Sequence, residues 1–253
     1  MNLGLIYARS GRDREGLTHL DDARVIADQL GQVGRRHLAQ IEVNRSIMLR
    51  NLGRYDEAIH AAEIARAISA EQSMPIDIAN ANECLAITYS LLGRYNDALL
   101  LFEEALRILE DGERKRDAAM VEISISSCLL KLGRLVDGLS RTQRARVALG
   151  ILGGRIEVGQ AWLFEAQILD TLNRHAEAEQ AIANAEIELN AETNRSWLAQ
   201  AELARASLLA RNGAAADSLE LALKAAKTFE VLGQPQNGAL AQLIAARASL
   251  WLE

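Results

Sequence analysis

Histidines and cysteines are the side chains of this 253-residue chain best suited to metal, acid–base or nucleophilic chemistry, and there are few of them. His19, His37, His60 and His175 are scattered along the sequence, with neither metal-ligand nor triad spacing. Cys84 and Cys128 form no CxxC pair, so a zinc site or a disulfide framework is not expected and a reducing cytoplasm is the default. Both cysteines sit among apolar residues and read as buried, inert thiols. Gly153-Gly154 follows no strand and so is not a phosphate-binding loop. The sequence supports no catalytic residue, no cofactor and no metal site.

What remains is charge. Arg12, Arg54, Arg94, Arg134 and Arg174 recur at a fixed place in the chain and would form a ladder along one edge. One reading is a track for an anionic partner, even a nucleic-acid backbone. The other is solvated cations offset by the nearby acids Asp56, Glu57, Asp97 and Glu177. Residues 112–155 hold nine cations against four acids within a chain of net charge −6. That asymmetry could orient an acidic partner, but the acidic total argues against a dedicated nucleic-acid binder. No apolar run approaches the roughly 18 residues of a membrane span. Arg9 interrupts the apolar start too early for a signal peptide.

The elements that carry these residues are helices. Ala, Leu, Arg and Glu abound, aromatics make up 4% and there are two prolines. Leu52-Gly53-Arg54-Tyr55 recurs 40 residues on as Leu92-Gly93-Arg94-Tyr95, then as Leu132-Gly133-Arg134-Leu135, Leu172-Asn173-Arg174-His175 and Asn212-Gly213-Ala214; Ser10-Gly11-Arg12 precedes them by 42. Four columns keep the same frame. Seven before the turn stand Gly4, Ser46, Ala86, Ser126, Ala166 and Ala206, all small; five after it stand Gly16, Ala58, Ala98, Gly138, Ala178 and Ser218. Twelve after it every residue is Ala: Ala23, Ala65, Ala105, Ala145, Ala185 and Ala225. Four before it stand large residues: Tyr7, Leu49, Tyr89, Leu129, Leu169 and Leu209. Small columns let helices approach, large ones fill the space between pairs, and a turn Gly or Asn takes a positive φ.

Each unit therefore reads as helix A, a tight turn, helix B and a looser loop. The spacing predicts A helices at 35–51, 76–92, 116–132, 156–172, 195–211 and a last one near 236–252. It predicts B helices at 12–30, 54–70, 94–110, 134–149, 174–190 and 214–232. The loops between units hold Gly34, Pro75, Gly112, Gly153-Gly154, Asn194 and Pro235, the prolines falling where a helix begins.

The pattern of Ala86, Tyr89, Leu92-Gly93, Tyr95, Ala98, Phe102 and Ala105-Leu106 resembles the tetratricopeptide repeat. The unit is longer than the usual one, the fourth turn lacks its glycine and the expected Trp occurs only at Trp162. The 40-residue unit is similar to arrays of large bacterial regulators, including maltose-activator-like transcription factors and proteins with a caspase-like protease domain. The resemblance implies an all-α, right-handed α-solenoid of about six stacked helix-turn-helix repeats plus a terminal helix. Its repeats fall at 1–34, 35–74, 75–114, 115–154, 155–194 and 195–234, with the final helix at 235–253. The truncated first helix A and the apolar Leu240, Leu243, Leu250 and Trp251 favour a fragment of a longer protein; the rival is that the exposed ends pack against another copy.

The resemblance further implies that A helices line a concave groove. Its columns lie ten, six and three residues before each turn. The first is Val43, Glu83, Ile123, Leu163 and Leu203; the second is Ile47, Ile87, Ser127, Gln167 and Ser207; the third is Arg50, Ser90, Leu130, Asp170 and Ala210. Two readings stay open for these apolar columns. They bind a peptide or an amphipathic partner helix, or they pack internally. Chaperone-tail binding, which in this family uses Lys and Asn in these columns, is not expected because the chain has neither there. The leading expectation is a cytoplasmic, non-enzymatic protein-interaction module, scaffold or regulatory, for a protein or peptide partner. The second is an effector-sensing domain of a bacterial transcription or signalling regulator, and the third a nucleic-acid-associated array.

Overall fold

The computed structural model describes residues 12–192 and 194–252. Among them are twelve α-helices and no strand: α1 Asp13–Gln29, α2 Gln32–Asn51, α3 Tyr55–Glu71, α4 Pro75–Leu91, α5 Tyr95–Asp111, α6 Lys115–Lys131, α7 Leu135–Ile151, α8 Arg155–Thr171, α9 His175–Ala191, α10 Arg195–Arg211, α11 Ala215–Val231 and α12 Pro235–Ser249. The expected half-repeat with Gly4, Tyr7 and Ser10-Gly11 lies outside the described residues, as does Glu253. The chain divides into two compact units, the first ending at Leu132 and the second starting at Gly133.

Within each unit every helix packs on its neighbours in sequence. In addition α2 touches α4 and α4 touches α6 in the first unit; α8 touches α10 and α10 touches α12 in the second. The odd-numbered helices make no such contact among the described residues. The A helices are thus the inner row of each stack, and each unit is a stretch of α-solenoid.

The sequence columns show how the stack closes. Ser46, Ala86, Ser126 and Ala206 are fully buried, and so are Ala58, Ala98, Ala178 and Ser218 across the turn and Ala65, Ala105, Ala185 and Ala225 farther on. With no side chain beyond Cβ or Oγ at these points, two helices come into close contact. Phe102 and Leu109 of α5, with Val121, Ile125 and Leu129 of α6, then fill the space between pairs in the first unit. Leu203 of α10, Phe229 of α11 and Ala241 of α12 do the same in the second.

The structure corrects the expected looser loops. Helices α3 to α11 are all 17 residues long, with three-residue links on both sides. The positive-φ residues Gly53, Ser73, Gly93, Glu113, Gly133, Gly153, Asn173, Gly213 and Gly233 mark a 20-residue beat, twice the frequency of the sequence repeat. The links at Gly53, Ser73, Gly93, Glu113, Gly153, Asn173, Gly213 and Gly233 share one hydrogen-bond pattern. At the first, Gly53 N–H donates to Arg50 O and Arg54 N–H to Leu49 O; at the next, supposedly looser, link Ser73 N–H donates to Ala70 O and Met74 N–H to Ser69 O. This is the Schellman closure. It was hidden because Ser73 and Glu113 occupy a conformation that normally advertises itself by glycine.

Gly34 is a second correction. It is not a loop residue but lies buried inside α2, where a Cβ would stand 1.9 Å from the carbonyl oxygen of Ala27. The α1–α2 turn is made instead by Gly31, at φ +55°. Pro75 and Pro235 open α4 and α12 as expected.

The arginine ladder has a structural task at these links. Arg54, Arg94, Arg134 and Arg174 each reach the acid three residues on, Glu57, Asp97, Asp137 and Glu177, at 2.6–2.9 Å. Each arginine is the N-cap of its helix, and each acid sits in the first turn, where the helix dipole favours negative charge. The ladder is therefore neutralised pair by pair.

Candidate partner-binding site

The three groove columns separate by depth. Val43, Ile123, Leu163 and Leu203 of the first column are buried; Glu83 is half-buried. In the second column Ile47, Ile87, Ser127 and Ser207 are half-buried and Gln167 is exposed. Arg50, Ser90 and Asp170 of the third are half-buried.

In the first unit these residues are tied into the packing. Val43 and Ile47 join Ala62, Ala65, Cys84 and Leu85 in one core cluster, and Ile87 packs on the cluster around Phe102. Ser90 Oγ lies 3.1 Å from Cys128 Sγ. Burial pushes the Cys84 thiol up to about 12, and it also raises Cys128. Burial, reinforced by Asp117, holds the Glu83 carboxyl above the usual carboxylate range, with Arg50 acting the other way. Both thiols are inert on this geometry.

The second unit is different. Between α8, α10 and α12 lies a cavity of about 430 Å³. Leu163 and Leu203 reach it from the core, and Ile182 of α9 lines it from behind. Phe164, Trp197, Leu240 and Ile244 form its apolar walls. Gln167, Gln200 and Ser207 supply uncharged polar groups. Ala204 and Ser207 are small where they face the cavity. At the register of Gln167 and Ser207 the first unit carries Ile47, Ile87 and Ser127, so the cavity lies where two of these three positions would otherwise hold isoleucine.

Asp170 is the one ionisable side chain among the cavity-lining residues, and both its oxygens are engaged. His175 Nδ1 stands 3.1 Å from Oδ1, and Arg211 Nη1 stands 3.3 Å from Oδ2. The second contact bridges α8 to α10. Where α7 packs on α8, Arg146 of α7 donates to the buried Glu165 at 2.9 Å and lies 3.6 Å over the Trp162 ring. Glu165 also accepts from Gln143 at 2.9 Å. This cluster pins α7 to α8 and lies outside the cavity.

Five of the expected groove residues, Leu163, Gln167, Asp170, Leu203 and Ser207, thus meet at one cavity. The others, Val43, Ile47, Arg50, Glu83, Ile87, Ser90, Ile123 and Ser127, belong to the first unit. Sequence reasoning missed Phe164, Trp197, Gln200, Ala204, Leu240 and Ile244. Phe164, Ala204 and Ile244 stand one residue after the first column, and Gln200 and Leu240 three before it. A helix face wide enough to include i+1 and i−3 would have found these five, while Trp197, six residues before Leu203, lies beyond it. Among the described residues no three His, Cys, Asp or Glu side chains are placed to hold a metal ion, and no helix is long and apolar enough to cross a membrane.

Comparison with known proteins bears on the fold. Residues 37–111 match the family model described as Tetratricopeptide repeat. No curated protein matches the chain. Among solved structures, a Rap protein complexed with competence and sporulation factor is similar at a TM-score of 0.74, with 13% identity, covering 97% of this chain and 72% of that one. The Rap conjugation gene regulator of the plasmid pLS20, in complex with the Phr* peptide, has a TM-score of 0.71 and 12% identity, covering 98% and 71%. Aspartyl phosphate phosphatase F from Bacillus subtilis has a TM-score of 0.69 and 15% identity, covering 99% and 71%. Residues 37–111 are thus similar to tetratricopeptide repeats, and the stacked helix pairs of both units share the α-solenoid fold of these solved structures.

Proposed function

We propose that the chain is a protein-interaction module that holds an extended peptide segment of a partner on the A helices of its second unit. The observation that carries this reading is the cavity between α8, α10 and α12, with an apolar floor and a few convergent uncharged polar groups, the usual make-up of a binding pocket. Adjacent packed helices stand about 8–10 Å apart, and an extended chain advances about 3.3 Å per residue. A segment of about six residues therefore spans the three helices. The structural likeness to a Rap regulator in complex with a peptide supports the same reading.

The test is selection of phage-displayed random heptapeptides on the parent chain and on Ser207→Ile and Ala204→Leu. Both substitutions fill the cavity from half-buried positions, so helicity and melting temperature should hold. Enrichment on the parent that is lost on both variants supports the site. Equal enrichment on all three proteins contradicts it.

A second reading, an effector-sensing domain, is favoured by the Asp170–Arg211 contact, because a ligand beside it could shift α8 against α10. A selected peptide that changes protease sensitivity at the α8–α9 and α9–α10 links would support sensing. Unchanged cleavage at saturating peptide would leave a passive docking site.

A further inference from the structure

Resting on that reading, we propose that the cavity receives an uncharged anchor side chain of the bound segment, aromatic or long and aliphatic, and rejects charged ones. Three observations converge. The walls are apolar, and two of them, Phe164 and Trp197, are aromatic. The polar groups at hand are amides and a hydroxyl, from Gln167, Gln200 and Ser207, which can pair with a peptide backbone in either direction but cannot balance a full charge. The single carboxylate, Asp170, already has His175 on one oxygen and Arg211 on the other. A cationic anchor would have to compete with Arg211 for Asp170. An anionic anchor would enter an apolar site beside a carboxylate. Either would give up its hydration with no free counter-charge to replace it. A neutral side chain bears no such cost and gains contact with the aromatic walls, the usual basis of a binding hot spot.

The same geometry assigns the polar groups. With the anchor seated between Leu163 and Leu203, Gln167 and Gln200 serve the backbone on either side of it, so they add affinity without choosing sequence. Specificity rests on cavity volume, and Ala204 and Ser207 set that volume.

The test uses heptapeptides selected on the parent chain, resynthesised with each position changed in turn to Ala, Asp and Lys, and titrated by fluorescence anisotropy. The expected result is one fixed position bearing an aromatic, Leu, Ile or Met residue. Ala there should raise Kd at least tenfold, and Asp or Lys should abolish measurable binding. Gln200→Ala should weaken all selected peptides by a similar factor while keeping the same anchor. If the dominant position is acidic or basic, or if Asp or Lys replaces the anchor with unchanged Kd, the proposal is overturned while the groove reading stands. If selected peptides bind Ser207→Ile and Ala204→Leu as they bind the parent, the groove reading fails and the anchor proposal with it. The melting temperature of each variant, measured alongside, shows that a loss of binding is not a loss of fold.

Discussion

At the scale of single residues, burial governs the chemistry of the two cysteines and of one carboxyl group. Cys84 and Cys128 are buried thiols with raised pKa values, so neither offers a thiolate near neutral pH. A thiol-specific chromogenic reagent should therefore find no reactive cysteine in the native chain and two after denaturation; rapid native labelling of either would contradict the packing. Glu83 gives a prediction with a defined sign. Burial and Asp117 raise its folded-state pKa. Between its unfolded and folded values the native state holds more protons than the unfolded one, so stability falls as pH rises through that window and stays lower above it. Glu83→Gln should melt higher than the parent at pH 7, and the difference should shrink toward zero as pH falls below the usual carboxylate range. A difference that stays constant with pH would mean that charge burial is not its cause.

At the scale of elements, the turns govern the architecture more than the repeat reading foresaw. The 40-residue frame, the small columns and the inner row of A helices were legible, because each column repeats one steric demand that only Ala, Ser or Gly meets. The 20-residue beat was not legible, because Ser73 and Glu113 take a positive φ that their residue types do not advertise. Glu113 is exposed and sits at φ +56°, where a Cβ costs roughly 1–2 kcal/mol. Glu113→Gly should therefore stabilise the chain by about 1 kcal/mol and raise its melting temperature by about 2–4 °C. No change or a fall would show that the turn is not strained. Gly34 tests the opposite case. A Cβ there would overlap the Ala27 carbonyl, and backbone cannot step aside as a side chain does. Gly34→Ala should cost about 3 kcal/mol and loosen the α1–α2 pair first, visible as faster amide exchange in α1. Native-like exchange in α1 would contradict the close approach.

At the scale of the whole chain, the two units use one frame for different ends. In the first, Val43, Ile47 and Ile87 turn the groove columns into packing. In the second, Gln167, Ala204 and Ser207 leave a cavity on the same face. Of the two readings left open from the sequence, internal packing describes Val43, Ile47 and Ile87 of the first unit, and the cavity of the second unit supports the groove we propose. The column residues named the face, but which stretch of it opens depends on side-chain volumes summed over three helices that are distant in sequence. Leu163 and Leu203 show the limit plainly. They looked like surface contacts, yet they are core residues whose edges reach the cavity, so a charge there would test folding rather than binding.

The most direct measurement of the central claim is isothermal titration of one selected peptide into the parent chain and into Ser207→Ile, with melting curves for both. The cavity account predicts one site per chain on the parent, at least a tenfold loss of affinity in the variant, and a melting temperature that does not fall. Equal affinity in the two proteins would place binding elsewhere and contradict it.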